Sequence, residues 1–355
     1  NDLNGNESLL DTSGDIESSS IDGNDVDEYI HLYASMRRGG RNYYALDISN
    51  RSAPKYLWQI NGGEGKFSKL GQTWSKMIPA IVKWNGTDKN VLFFGGGYDA
   101  TAEDCIQIGS GTLDCNTGPA ARTSVTMGNE IFMVDAKTGA YLWSASNSGA
   151  KLNLTGMTNS IVSDLVVLDT NQDGRDDLIY SSDTGGRIWR IDLDNSATNM
   201  SATGGMIADM NEGGGTGSNN IRFYNTIDLA YIYDKSSGIK PRFQLSIGSG
   251  YRAHPLDTRG TNRFYMINDF NVTNKPDLTD LSSFYQSVTE SDLANIASST
   301  PPAYSSTPKG KYMVLTGAGE KILARSTTAA GNVFFTTYRP NDGSATLNCA
   351  PSVGL

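Results

Sequence analysis

The sequence predicts an all-β chain: a modified β-propeller with inserted loops, a short helical insertion and an incomplete set of blades. Two observations predict it. Apolar segments such as Val91-Leu-Phe-Phe94, Ile131-Phe-Met-Val134 and Phe243-Gln-Leu-Ser-Ile247 are short, rich in β-branched or aromatic residues, and end near Gly or Asp, as strands do. A two-strand unit also recurs, built from an apolar strand, a Gly-rich turn and an aromatic strand closed by Asp or Asn. One such unit cannot bury its faces alone. Copies arranged radially bury one another and leave only short, protected edges.

Five copies follow one another along the chain. The first runs from Leu32 through Arg37-Arg-Gly-Gly-Arg41 to Asp47, and the second joins Gly95-Gly-Gly-Tyr98 to Ile131-Phe-Met-Val-Asp135. The third is Leu178-Ile-Tyr-Ser-Ser-Asp-Thr-Gly-Gly-Arg-Ile-Trp-Arg-Ile-Asp192, and the fourth joins Gly248-Ser-Gly-Tyr251 to Arg263–Asn268. Gly317-Ala-Gly319 with Asn332-Val-Phe-Phe335 reads as a fifth. Five units are few for a closed ring, which points to missing or degenerate flanking blades; a β-sandwich is the competing architecture. Trp58, Trp143 and Trp189 each close a unit and read as wedges between blades.

The domain division that follows is an acidic leader over 1–28, flexible or peripheral, and a propeller over 29–350. Insertions fall at about 99–128, 195–220 and 271–309. The second, with Gly213-Gly-Gly215, reads as a mobile loop; the third, with weak helical spacing from Leu281 to Ile296 and then Pro301-Pro302, reads as a helical turn or two.

Charge and composition narrow the function. The net charge is -9, yet the first 30 residues hold nine acids and no Lys or Arg, so the remainder balances 29 acids against 29 bases. A neutral body with an acidic leader argues against nucleic-acid binding. Only His31 and His254 are present, which leaves little for chemistry needing several imidazoles. Asp99, Glu103 and Asp104 form an acidic cluster whose members can pair, but no His or Ser partner makes a catalytic set, and no enzyme activity is expected. No apolar run approaches the length needed to span a bilayer. The first residue is Asn, with no signal peptide, as in a mature piece of something longer. Cys105 and Cys115 bracket nine residues of a Gly/Thr/Asp segment, good spacing for a disulfide, and Cys349 is left over. This suits an oxidising, extracytoplasmic compartment.

The sharpest signal is Asp169-Thr-Asn171-Gln-Asp173-Gly-Arg175-Asp-Asp177, between the apolar segments Leu165–Leu168 and Leu178–Tyr180. Oxygen side chains stand at loop positions 1, 3, 5 and 9, with Gly174 at position 6 and the carbonyl of Arg175 at position 7. Calcium takes six to eight hard oxygen ligands, and this alternation turns successive oxygens inward around one ion. Both flanks are strands and position 12 is Tyr180, so the expectation is a calcium-binding β-hairpin rather than an EF-hand. No His or Cys is at hand for a softer metal. The plain alternative is a solvated Asp-Gly turn. Arg37–Arg41 admits an anion site, but its repetition at Gly185-Gly-Arg187 favours a structural turn.

Several of these segments together resemble the C-terminal propeller of the PilY/PilC family, the tip-associated adhesins and assembly factors of bacterial type IV pili. They are Arg37–Asp47, Phe94-Gly-Gly-Gly-Tyr-Asp99, Asn129–Gly139, the Asp169–Asp177 hairpin and Gly186–Asp192. The resemblance runs over most of residues 30–340. It implies calcium at Asp169, Asn171, Asp173, the Arg175 carbonyl and Asp177, with occupancy controlling pilus extension against retraction. It also implies minor pilins and a host or abiotic surface as partners, and a place at the cell surface on the pilus tip, reached through the periplasm and outer membrane. Two other classes share parts of the pattern. An integrin-like adhesive propeller would repeat the calcium loop in several blades, and here it occurs once; a quinoprotein dehydrogenase shares Asp135-Ala-Lys-Thr-Gly139…Trp143 but would show adjacent cysteines, and none occur.

Overall fold

The structure, a computed structural model, describes residues 29–104, 125–211, 220–234, 239–258, 260–272, 276–296 and 309–340, with short strand segments at 106–108, 112–114 and 353–354. The leader 1–28 and all three cysteines lie outside the described residues, so the Cys105–Cys115 pairing does too.

The first sheet holds β1 (His31–Ser35), β2 (Tyr43–Asp47) and β3 (Lys55–Ile60), antiparallel throughout. The second is built on β4 (Ile78–Trp84) and β5 (Thr87–Gly95). The chain then leaves through the one-turn helix α1 (Ala100–Glu103) and a small hairpin of β6 (Ile106–Ile108) and β7 (Thr112–Asp114). It returns as β8 (Glu130–Asp135), β9 (Tyr141–Ser146) and β10 (Leu152–Asn153), giving the order β10-β9-β8-β5-β4. The third sheet contains β11 (Val166–Leu168), β12 (Leu178–Ser182), β13 (Arg187–Asp194) and β14 (Ser201–Asp209). The fourth begins with β15 (Asp228–Asp234), β16 (Ile239–Gly248) and β17 (Arg263–Asp269). A connection with helix α2 (Leu281–Phe284), β18 (Val288–Thr289) and β19 (Ala294–Asn295) leads to β20 (Gly310–Val314). Here β18 pairs parallel with β14, tying the fourth sheet's connection to the third sheet. β21 (Thr327–Ala329) with β22 (Asn332–Phe334), and β23 (Tyr338–Arg339) with β24 (Val353–Gly354), form two-stranded sheets.

Alternation along the strands aims successive residues at opposite neighbours, so the core lies between sheets. Tyr43, Ala45 and Trp58 of the first sheet pack on Leu92, Phe94, Phe132 and Val134 of the second. Phe93, Met133 and Trp143 on the second's other face pack on Ile179, Trp189 and Ile191 of the third. The third meets the fourth through Leu178, Tyr180 and Ile188 against Leu245, Ile247 and Tyr265. Face-to-face stacking of successive sheets of three to five strands, each buried by its neighbours, is blade packing, and the tryptophans are wedges as expected. Trp58 Nε1 also donates across the blade boundary to Ala136 O at 3.2 Å.

The Gly-rich turns have a common cause. The segment entering each blade runs between the end of the previous blade's second strand and that of its own. Gly97 N donates to Ile161 O and Thr184 N to Ser160 O, both at 2.9 Å; Phe223 N donates to Asp183 O, Gly250 N to Arg222 O and Ile322 N to Ser249 O. A Cβ on Gly95 would stand 2.5 Å from Ile161 O, so the crossing requires glycine.

Two expectations fail. The 195–220 segment is not a loop throughout: Ser201–Asp209 forms a full outer strand, paired with β13 from Asp209↔Arg187 to Ser201↔Asp194. Its small residues were misread as flexible. They are small because a Cβ on Gly205 would meet the Tyr285 side chain at 2.4 Å. The fifth unit also differs. Val333 pairs with Thr328 in a tight hairpin, and no strand ladder joins it to Gly317–Gly319. Among the described residues the third insertion carries one four-residue α-helical turn and a 3-10 turn at Glu290–Asp292; Asp280 caps Ser283 N but Tyr285 already leaves the helical region.

Candidate metal centre

The loop 169–177 closes the β11–β12 hairpin, whose register Leu168↔Leu178 is set by the apolar stems. It lies at the end of the hairpin away from the Gly-rich crossings. Within it, the Asp169 carboxylate accepts three backbone amides: Gln172 N at 2.7 Å and Asp173 N at 3.3 Å on Oδ1, and Gly174 N at 2.9 Å on Oδ2. Asn171 Oδ1 accepts Asp173 N at 2.9 Å, and Asp173 Oδ1 accepts Arg175 N at 2.9 Å. The turn is made by two left-handed residues, Gln172 (φ 60°) and Gly174 (φ 87°); a Cβ on Gly174 would meet nothing within 4 Å, so backbone conformation rather than space selects glycine there.

All five expected ligand residues therefore sit in one nine-residue turn. They are not all gathered around one point. Asp177 Oδ1 accepts Thr170 N at 3.0 Å, and both its oxygens accept the Thr170 hydroxyl. Among the described residues no group of three or more His, Cys, Asp or Glu side chains is close enough to hold a metal ion. The donor set itself is all oxygen, drawn from carboxylates, an amide and a carbonyl, and sits on an exposed tip, which suits a hard divalent cation. Asp169, Asn171, Asp173, the Arg175 carbonyl and Asp177 are the groups that would hold it.

The neighbouring blade contributes residues that sequence reasoning did not assign. Asp176 Oδ2 accepts Ile81 N at 2.8 Å and Asp176 N donates to Ile81 O at 2.8 Å, a two-way clamp onto β4. Burial, together with the charges of Asp169 and Asp177, pushes the Asp176 carboxyl up. Asn195 Nδ2 donates to Asp176 O while its Oδ1 accepts Lys83 N. The Arg175 guanidinium pairs at two points with Asp88 and holds that carboxyl below its usual range. Asp88 is 87 residues away in sequence, and only the stacking of blades brings it here.

A second polar assembly occupies the ends of the inner strands. Asp99 caps α1, accepting Thr101 N and Ala102 N, and its other oxygen accepts Thr126 N. Glu103 pairs with Arg222 and accepts the Thr184 hydroxyl, all three buried. Asp104 accepts Tyr98 Oη at 2.6 Å, lies 2.7 Å from His254 Nε2 and pairs with Arg38 at 3.1 Å. Burial alone would raise the Asp104 pKa; these three hydrogen bonds outweigh it and hold the carboxyl well below the usual range. His254 thus does meet the acidic cluster, contrary to the reading of the sequence, where 150 residues separate them. Arg38 also donates to Ala253 O at 3.0 Å, so the Arg37–Arg41 turn is bound to the fourth blade rather than shaped as a phosphate loop.

No family model matches the chain. It is similar to a type IV pilus biogenesis factor PilY1 homolog of Xylella fastidiosa, 26% identical over 347 positions that cover 90% of this chain and 20% of that protein. The type IV pilus biogenesis factor PilY1 of Pseudomonas aeruginosa is 26% identical over 162 residues, 46% of this chain and 11% of that protein. The chain spans a fifth or less of the length of these relatives. The crystal structure of the Pseudomonas aeruginosa PilY1 C-terminal domain superposes on 88% of this chain and 65% of its own, with a TM-score of 0.59 and 18% identity. The all-β fold is shared with that domain, and the resemblance drawn from the motifs is borne out in both sequence and fold.

Proposed function

We propose that the chain is the propeller of a type IV pilus biogenesis factor, displayed outside the cytoplasm, whose Asp169–Asp177 hairpin binds calcium and biases pili toward extension or retraction. What supports the calcium reading most is the Asp169 carboxylate wrapped by the amides of residues 172–174, with oxygen donors alternating beyond it. The relatives named as pilus biogenesis factors support the rest. Minor pilins and a surface are the expected partners and the pilus tip the expected place. Among the described residues no helix is long and apolar enough to cross a membrane. No catalytic role is assigned.

Asp173→Ala removes a charged donor from the middle of the loop, and calcium affinity falls steeply. Asp177→Lys places an ammonium beside the remaining carboxylates and imitates occupancy. In cells carrying these variants in the full-length protein, Asp173→Ala should lose surface pili and regain them when the retraction motor is deleted. Asp177→Lys should keep pili but twitch poorly. Normal piliation and twitching in both would refute the regulatory role.

A further inference from the structure

Arg175 is the only basic residue of the 169–177 loop, and it faces two carboxylates. Its Nε donates to Asp88 Oδ1 at 2.7 Å and its Nη2 to Asp88 Oδ2 at 3.2 Å, while Nη1 stands 3.9 Å from Asp173 Oδ2. Asp88 belongs to β5 of the second blade; Asp173 is a ligand in the calcium reading. A guanidinium and a calcium ion compete for the same carboxylate oxygens, so the partner that Arg175 takes decides how free Asp173 is. The backbone around Arg175 does not move to settle this, since the adjacent Asp176 is clamped to Ile81. The choice is made by the side chain.

We propose that Asp88 is a positioning residue for the loop: by holding Arg175 in a two-point pair across the blade boundary, it keeps the guanidinium out of hydrogen-bonding distance of Asp173, at 3.9 Å, and leaves that carboxylate to a hard divalent cation. The proposal rests on the calcium reading above. Coupling of this kind is reciprocal. Cation at Asp173 leaves Arg175 to Asp88 alone and tightens the tip of the β4–β5 hairpin against the third blade; loss of the Asp88 carboxylate returns Arg175 to Asp173 as a competitor. The Arg175 and Asp88 side chains are 27% and 53% exposed, so screening keeps the effect modest, about threefold in affinity.

The test is a double-mutant cycle with Asp88→Asn and Arg175→Gln, which keeps the backbone carbonyl. Calcium titration calorimetry on the whole chain is accompanied by thermal melts and by hydrogen exchange over residues 81–90. Asp88→Asn should weaken calcium about threefold, and should change nothing once Arg175 is Gln. Calcium should slow exchange at the β4–β5 tip in the wild type and less in Asp88→Asn. Unchanged affinity in Asp88→Asn, or an equal loss in the Arg175→Gln background, would overturn the proposal, the latter by reducing Asp88 to a distant charge. A wild-type chain that binds no calcium would overturn the calcium reading and this proposal together; a wild type that binds beside an unaffected Asp88→Asn overturns this proposal alone.

Discussion

Replacing Glu103 by Ala should be among the most destabilising single changes in the buried polar assembly around α1. Glu103 and Arg222 are both 4% exposed, and they are paired across the boundary between the second blade's insertion and the entry to the fourth. The guanidinium carbon lies 4.4 Å from the Tyr251 ring centre, and Tyr251 Oη donates to the Glu103 carbonyl. Burial lowers the Arg222 pKa, but the adjacent carboxylate more than compensates and holds it above its usual value. Removing the carboxylate strands a buried cation and the Thr184 hydroxyl, which costs about 3–5 kcal/mol. That is a large share of the roughly 5–15 kcal/mol that holds a domain together. The desolvation of both ions is already spent in the native state, so replacing the pair together, Glu103→Leu with Arg222→Met, should recover most of the loss. Equilibrium urea unfolding of the wild type, both single variants and the double variant measures this directly. A cost below about 1 kcal/mol for Glu103→Ala, or a double variant as unstable as the sum of the singles, would rule out a stranded buried charge as the cause.

Other outcomes follow from the same geometry. Gly139→Ala should cost about 1–3 kcal/mol, since its φ is 70° and a Cβ would stand 2.7 Å from the Trp58 ring; in a Trp58→Ala background the steric part should vanish, leaving only backbone strain. Asp104 has a depressed pKa in the folded state, so its contribution to stability is present above about pH 4 and is lost as pH falls below that value. Thermal melts from pH 7 to 3 should therefore show the gap between wild type and Asp104→Asn closing below about pH 4, and a constant gap would contradict it. Cys105 and Cys115 should form a disulfide worth about 2–3 kcal/mol; an alkylatable Cys105 in a non-reduced digest would refute it.

Much of the architecture was legible because it is local. Strand segments announce themselves by β-branched and aromatic runs, and the Gly-rich turns repeat because every blade entry must cross the previous blade at backbone contact. The oxygen-rich turn at Asp169–Asp177 was legible for the same reason, its proposed donors being contiguous. Ser201–Asp209 was hidden because its glycines are forced by packing, Gly205 against Tyr285 and Gly204 against Arg190 and Ile191 of β13, and Gly-rich sequence otherwise reads as loop. The partners of the loop and of the polar assembly around α1 were hidden by distance. Asp88 with Arg175, His254 with Asp104, and Arg222 with Glu103 are 87 to 150 residues apart. No spacing rule links them; they meet only once the blades stack.

Whether the Asp169–Asp177 hairpin takes calcium is decided by a crystal of this chain grown with calcium. Anomalous diffraction data should place one strong peak at the hairpin tip, with Asp177 turned from Thr170 to join Asp169, Asn171, Asp173 and the Arg175 carbonyl. The peak should be absent from Asp173→Ala crystals grown alike. A wild-type map with no anomalous peak at the tip, and Asp177 still bound to Thr170, would contradict calcium binding by this hairpin.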